Sequence, residues 1–218
     1  AETHAAKSGV AHFASPDDAA GIELVRKLLS YMPLNNREDP PLGAQDDDPN
    51  RISEELDSII PDDSEKPYDI KEVVERVVDR DSFLEVHKQY AGNIVVGFAR
   101  LNGMPVGIVA NQPAHLAGVL DIDASLKGAR FVRFCDCFNI PIVTFVDVPG
   151  FLPGTDQEYG GIIRHRAKLL LPYCESHVPR APIIPRKGYR GTSVLHKPNL
   201  FSLRPSVACP SADVPAFR

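Results

Sequence analysis

The strongest constraint on the fold is an apolar run from residue 140 to residue 146, in which Thr144 is the one polar residue. Short apolar runs rich in β-branched residues are typical of strands in a sheet that is covered on both faces. A helical pattern of apolar residues over residues 124–138 precedes the run, and another extends from residue 162 to about residue 171. Helix, buried strand, loop and helix in this order predict a layered α/β fold of the βαβ type.

Local signals place three further elements. Asn102-Gly103 separates two apolar stretches, and this dipeptide is the strongest short signal for a β-hairpin. Asp69 predicts the start of a helix, because Glu72 follows it at capping-box spacing. Ser15-Pro16-Asp17-Asp18 predicts another helix start, with Pro16 in the first helical position. The apolar residues after this start share one helical face: Ile22, Val25, Leu28, Leu29 and Met32.

Composition excludes several classes of function. A chain of 218 residues can form one domain or two small ones, and 43% hydrophobic residues are ordinary for a globular protein. No apolar run approaches the ~20 residues of a membrane span. The net charge of −5 does not indicate nucleic-acid binding. The first residues do not resemble a secretory signal, and without an initiator Met we expect a fragment or a processed chain.

Cysteine spacing argues against a metal site. Cys135, Cys137, Cys174 and Cys209 form no CxxC pair and no Cys/His cluster with zinc spacing. We therefore expect buried free thiols in a reducing compartment and no metal.

Charge is unevenly distributed along the chain. Residues 33–66 are acidic and rich in proline, which predicts a solvated surface loop. Beyond Val178 basic residues dominate, prolines recur, and Asp213 is the only acid. We therefore expect the segment 178–218 to differ in character from the rest of the chain.

Residues 147–161, the loop after the apolar run, hold many glycines but no Ser/His pair, no Cys and no phosphate-binding Gly-Lys-Ser/Thr. Asp147-Val148-Pro149-Gly150 matches the DxxG of nucleotide switches, yet a phosphate-cradling loop is absent from the sequence. A second interpretation is acid/base chemistry by titratable residues in or near the loop, although single carboxylates are more often caps. The candidates are Asp147, Asp156, Glu158 and His165.

A third interpretation is catalysis by the backbone. Glycines let the main chain approach a ligand closely, and N–H groups at a helix start can stabilise an oxyanion. The glycines concerned are Gly150, Gly154, Gly160 and Gly161. A tight turn whose glycines serve geometry alone remains the open alternative.

The stretch GARFVRFCDCFNIPIVTFVDVPGFLPGTDQEYGGIIRH strongly resembles the carboxyltransferase (β) subunits of biotin-dependent acyl-CoA carboxylases, with the propionyl-CoA carboxylases nearest. The resemblance extends from AETHAAKSGVAHF to about residue 175 and includes NIVVGFARLNGMPVGIVANQP and LDIDASLKGARFVRF. It implies a partial crotonase-like (ClpP/crotonase) α/β fold. Residues 1–66 would be the end of the N-terminal half with an acidic linker, 67–177 the start of the C-terminal half, and 178–218 a divergent, poorly ordered tail.

The resemblance also implies a reaction. The family moves a carboxyl group from carboxybiotin, carried on a partner subunit or domain, to the α-carbon of an acyl-CoA, here propionyl-CoA. Biotin's own nitrogen can take the α-proton, so the protein mainly supplies N–H groups to oxyanions. The family pattern assigns the catalytic backbone oxyanion hole to Gly191 and Thr192. It assigns the biotin-side wall to Gly150, Phe151, Gly154, Gly160 and Gly161.

Partners and compartment follow from the same resemblance. We expect acyl-CoA and a biotin carboxylase/biotin carrier subunit as partners, no nucleic acid and no membrane, in the cytoplasm or the mitochondrial matrix. Family members form hexameric rings, which we do not expect this chain to complete. The alternatives are a related biotin-dependent decarboxylase or transcarboxylase subunit, and a non-catalytic interaction remnant.

Several residues depart from the family pattern. Arg190 replaces a glycine, and Val194 stands where the family has an acidic residue. Pro182 and Pro185 are predicted to interrupt a central strand, and Pro172 the helix before it. We therefore hypothesise that the last forty or so residues are scrambled relative to the family, as an out-of-frame read-through or a sequence error would produce.

Overall fold

The structure is a computed structural model that describes residues 2–35, 37–63, 65–188, 207–209 and 212. Its helices are α1 (Glu2–Ala6), α2 (Asp18–Leu29), α3 (Leu56–Ile59), α4 (Ile70–Val77), α5 (Ile122–Cys137), α6 (Thr155–Tyr159) and α7 (Ile162–Glu175). Its strands are β1 (Leu84–Val86), β2 (Ile94–Leu101), β3 (Met104–Asn111), β4 (Ile142–Phe145), β5 (Arg180–Ile184) and β6 (Val207–Ala208).

The strands form one mixed sheet in sequence order. β1, β2 and β3 are antiparallel, whereas β3, β4, β5 and β6 run parallel. Asn102 and Gly103 both have positive φ, 49° and 76°, which a two-residue turn matching the strand twist requires. The predicted hairpin is therefore confirmed.

Apolar side chains cover both faces of the sheet. β2 sends Val96 and Phe98 to the cluster that contains the buried side chains of α5 and α7, and Val95 to the cluster that contains those of α4. β4 likewise places Ile142 in the first cluster and Phe145 in the second. The continuous apolar run predicted this double coverage, and the layered α/β architecture is confirmed.

The first predicted helix starts later than the sequence suggested. Asp17 is the N-cap of α2, because its carboxylate accepts a hydrogen bond of 2.8 Å from the Ala20 N–H. Pro16 therefore precedes the cap. Leu28 packs against the core, but Ile22 and Val25 stay half exposed, since α2 reaches the core only near its carboxyl end. The helix predicted at Asp69 is confirmed: its carboxylate caps α4 through the Lys71 N–H.

The predicted interruption at Pro182 is wrong. The carbonyls of Pro179 and Ile183 accept hydrogen bonds from β4 and the residue after it, so the nitrogen of Pro182 faces away from β4. On that other side the described residues of β6 first pair at Ile183, so among them the missing N–H interrupts no ladder bond. Pro185 follows the last residue of β5.

The predicted break at Pro172 is also wrong. Pro172 lies inside α7, which continues to Glu175. A proline there removes one backbone hydrogen bond, but Leu169 and Tyr173 on either side are buried, and their packing holds the last turn. β5 and β6 extend the sheet into the segment 178–218.

The prediction about the cysteines is confirmed in part. The cysteines are free, as expected, but Cys137 and Cys174 are exposed and only Cys135 is buried. In the part of the chain that the structure describes, no group of three or more His, Cys, Asp or Glu side chains is arranged to hold a metal ion. Among those residues no helix has the length and apolar character needed to cross a bilayer.

Candidate functional site

The loops that follow β3, β4 and β5 meet beyond the carboxyl ends of these parallel strands, where α/β sheets usually bind ligands. The loop after β4 is held on both sides. On one side the Leu120 N–H bonds the Gly150 carbonyl at 3.2 Å and the Leu152 N–H bonds the Leu120 carbonyl at 2.9 Å. On the other, the Val148 N–H bonds the Lys187 carbonyl at 3.0 Å. The position of residues 148–152 is thus set by both neighbouring loops.

Two of the predicted wall glycines border open space. Gly150 and Gly154 have φ of 155° and 133°, and a Cβ built on either would meet no atom of a described residue within 4 Å. Their N–H groups, with that of Phe151, make no hydrogen bond to any described residue. This part of the loop therefore offers main-chain donors with room for a ligand.

The other two predicted glycines have structural roles. A Cβ on Gly160 would lie 2.7 Å from Ile122 Cδ1 and 2.9 Å from the Asp156 carbonyl oxygen. The Gly160 N–H already bonds that carbonyl, and the Gly161 N–H bonds the Glu158 carbonyl. Neither N–H is thus free to stabilise an oxyanion.

Phe151 joins the loop to α7. Its ring packs against the core, and the guanidinium carbon of Arg166 lies 4.1 Å from the ring centre. This is cation–π geometry.

Asp147 lies at the centre of the three loops. Only 1% of its surface is exposed. Its Oδ2 accepts hydrogen bonds from the Tyr68 hydroxyl at 2.7 Å and Arg186 Nε at 3.1 Å, and its Oδ1 accepts one from the Lys187 N–H at 3.2 Å.

The Arg186 Nη1 also donates to the carbonyls of Asp63 and Lys66. Burial, followed by the neighbouring Asp147 carboxylate, raises the pKa of Tyr68.

This network weakens the acid/base interpretation. Asp147 is engaged by its donors, and Asp156 and Glu158 are exposed on α6. His165 lies on α7, where burial, followed by the charges of Lys168 and Arg164, lowers its pKa. No hydrogen bond between described residues joins these four candidates to one another.

The predicted oxyanion hole, Gly191 and Thr192, lies outside the described residues, as do Arg190 and Val194. The described range 65–188 ends at Gly188, which forms a β-bridge with Val148. Only Tyr189 and Arg190 separate Gly188 from Gly191.

Sequence reasoning missed two parts of the site. Tyr68 is 79 positions from Asp147, so no local pattern could pair them. Gly118 has φ of 74°, and a Cβ there would lie 2.5 Å from the Asp147 carbonyl oxygen. The Ala-Gly pair at 117–118 was the available signal, since a glycine after an apolar stretch often marks close backbone approach.

Comparison with known proteins agrees with this geometry. The Carboxyl transferase domain model matches residues 1–214, so the resemblance extends past residue 175, where we expected it to end. The carboxyltransferase subunit of propionyl-CoA carboxylase from Haloferax mediterranei is 54% identical over 214 residues, 98% of this chain and 42% of that protein. The methylmalonyl-CoA decarboxylase subunit alpha of Veillonella parvula is 55% identical over 192 residues, 88% of this chain and 38% of that protein.

Among solved structures, the transcarboxylase 12S hexamer with methylmalonyl-coenzyme A and methylmalonic acid bound superposes with a TM-score of 0.95 at 48% identity. The match covers 98% of this chain and 41% of that one. This chain thus spans about two fifths of the length of its relatives. The crotonase-like fold expected from the sequence is confirmed, and the chain belongs to the carboxyl transferase domain family.

Proposed function

We propose that this chain supplies the biotin-facing side of a carboxyltransferase, which moves a carboxyl group from carboxybiotin on a partner subunit to the α-carbon of an acyl-CoA. One observation carries the proposal: the N–H groups of Gly150, Phe151 and Gly154 are unpaired within the described chain, and the two glycines border open space. Such donors stabilise a developing oxyanion without a side-chain nucleophile.

The described residues fit biotin as a substrate. Phe151, next to Gly150, is held by the packing of its ring against the core, and hydrogen bonds hold the loop on both sides, so its donors are fixed before ligand arrives. Pre-positioned donors are worth about 3 kcal/mol each in the transition state. Gly191 and Thr192 complete this proposal as the oxyanion hole, and Gly160 and Gly161 contribute to the wall by shaping the turn into α7.

Propionyl-CoA is the proposed acceptor, because the relative from Haloferax mediterranei is named for it. The proposed partners are a biotin carrier and its carboxylase. We also propose that the whole protein forms a hexamer, as transcarboxylase 12S does. We place the reaction in the cytoplasm, or in the mitochondrial matrix of a eukaryote. By itself the 218-residue chain is not expected to form the ring. Light scattering of the purified chain tests this expectation, and a stable hexamer would contradict it.

A related decarboxylase function is the second candidate, favoured by the 55% identity to the methylmalonyl-CoA decarboxylase subunit. It would use the same donors with the carboxyl group moving from acyl-CoA to biotin. A non-catalytic interaction role is the third, and capture of the partner subunits without turnover would favour it.

The test combines this chain with the part of the Haloferax mediterranei subunit that it does not cover. Methylmalonyl-CoA and biotin methyl ester are added, and propionyl-CoA is measured by chromatography. We expect propionyl-CoA only when both parts and the biotin ester are present. Separately, calorimetry should detect biotin methyl ester binding to this chain alone. Absence of both signals would refute the proposed function.

A further inference from the structure

We propose that Asp147 is a positioning residue, which fixes the register between the wall segment 148–152 and the segment 186–188 that leads to Gly191. The inference rests on the proposed function for its role in biotin binding, although its structural part can be tested without ligand. Asp147 itself does not touch the open side of the loop.

The first support is the way in which Lys187 is held. Its N–H donates to Asp147 Oδ1 at 3.2 Å, and its carbonyl accepts from the Val148 N–H at 3.0 Å. Both polar groups of the Lys187 backbone are therefore bound to adjacent residues of one chain segment. A slip of either loop by one residue would break both bonds.

The second support is the buried ion pair. Arg186 is 9% exposed, and its Nε lies 3.1 Å from Asp147 Oδ2. The guanidinium is also fixed by the Asp63 and Lys66 carbonyls and lies 4.8 Å from the centre of the Tyr68 ring. Charge-assisted bonds with such fixed geometry position a segment more strongly than neutral bonds do. The carboxylate thus connects the loop after β4 to the end of the acidic segment.

The third support is the close approach of Gly118 to Asp147. A Cβ built on Gly118 would lie 2.5 Å from the Asp147 carbonyl oxygen, so there is no free space between the two residues. Asp147 therefore cannot move toward the loop after β3 to compensate for a lost contact. Its side chain determines where residues 186–188 lie.

The test uses Asp147→Asn, which keeps the side-chain shape and loses the charge. The matched control is Tyr68→Phe, which removes one hydrogen bond to the same carboxylate and leaves the contacts to Arg186 and Lys187. Amide hydrogen exchange is followed at Val148 and Lys187, and biotin methyl ester affinity is measured by calorimetry. For Asp147→Asn we expect both amides to exchange at least about tenfold faster and affinity to fall by a similar factor. Tyr68→Phe should change each by less than about threefold.

The two proposals fail in different ways. If the unchanged protein does not bind the biotin ester, the proposed function fails, and hydrogen exchange alone decides the positioning role. If Asp147→Asn leaves exchange and affinity as in the unchanged protein, the positioning role is overturned. If that variant does not fold, hydrogen exchange in the unchanged protein is the test. The Val148 and Lys187 amides should then become exposed in one shared opening event with a single equilibrium constant. Independent opening of the two amides would overturn the inference.

Discussion

The guanidinium group of Arg166 stacks over the ring of Phe151 at 4.1 Å, so α7 and the glycine-rich loop are joined by a charge on an aromatic face. The loop also bonds to Leu120 and Lys187 through its backbone. The stacked pair adds a side-chain link between the loop and α7.

Replacing Arg166 should weaken the attachment of the glycine-rich loop to α7. Arg166→Ala removes a contact worth about 0.5–1 kcal/mol, so we expect affinity for biotin methyl ester to fall roughly two- to fivefold in calorimetry. Arg164→Ala is the control, because Arg164 is exposed on the same helix. Equal losses in the two variants would point to a general charge effect and contradict the role of the stack.

Alanine at Gly150 and at Gly160 should destabilise the protein for different reasons. Gly150→Ala meets no atom of the residues that the structure describes, but it places an L-residue at φ of 155°, which should cost about 1–2 kcal/mol. Gly160→Ala collides with Ile122 and with the backbone of Asp156, and we expect a cost of about 1–3 kcal/mol from overpacking. Urea unfolding measures both. Gly92→Ala, which meets only ordinary contacts, is the control. A Gly150 variant as stable as this control would show that the backbone tolerates a side chain there.

Lys127 should be essential for the loop before β2. Its ammonium group is buried and donates to the carbonyls of His87, Tyr90, Ala91 and Ile94. Lys127→Met keeps the apolar stem but removes the ammonium donor from all four carbonyls, at an expected cost of about 3 kcal/mol. The His87 and Ala91 carbonyls keep hydrogen bonds from the N–H groups of Tyr90 and Ile94, so the loss falls mainly on the Tyr90 and Ile94 carbonyls. Chemical unfolding compares it with Lys88→Met at an exposed position. A loss no larger than that of the control would mean that water replaces the ammonium group.

Stability should fall in mild acid because of His87. Burial, together with nearby His12, Lys127 and Arg130, lowers the pKa of His87 to about 4, although its bond to the Gly9 carbonyl opposes this. In the unfolded chain the pKa of His87 is near 6.5. Between about pH 4 and pH 6.5 the unfolded chain therefore binds more protons at His87 than the folded one does. The His87 contribution is therefore present above about pH 6.5 and declines as pH falls toward 4.

Thermal unfolding at about pH 7.5 and about pH 5 measures this effect. His87→Gln should show a smaller loss of melting temperature on acidification than the unchanged protein, and His4→Gln, at an exposed position of α1, should not. The same pH dependence in all three proteins would assign the effect to other groups.

Local patterns predicted much of the fold. The Asn102-Gly103 hairpin, the Asp69 cap and the doubly covered strand β4 each follow from residues that lie close together in the sequence. The prolines were misjudged because a proline's effect in a sheet depends on which neighbour its nitrogen faces, and the sequence does not reveal pairing. The start of α2 was placed too early, since both Ser15 and Asp17 can cap and only backbone geometry selects one.

The site was predicted less completely. Family resemblance identified the glycine-rich loop, but it treated five wall residues as equivalent. Only the structure separates Gly150 and Gly154, which border open space, from Gly160 and Gly161, whose N–H groups are engaged. Asp147 was visible as the end of a strand, yet its partners Tyr68 and Arg186 are 79 and 39 positions away. Contacts at such separations are determined by topology.

The orientation of Pro182 has a consequence for association between molecules. Its nitrogen lies on the side of β5 that faces β6, and the described part of β6 pairs with Ile183 and Ile184. Proline offers no N–H on that side, and natural sheets use proline among other devices to limit the addition of strands. A residue that the sequence marked as damage to the sheet therefore removes one donor that a strand from another molecule would need.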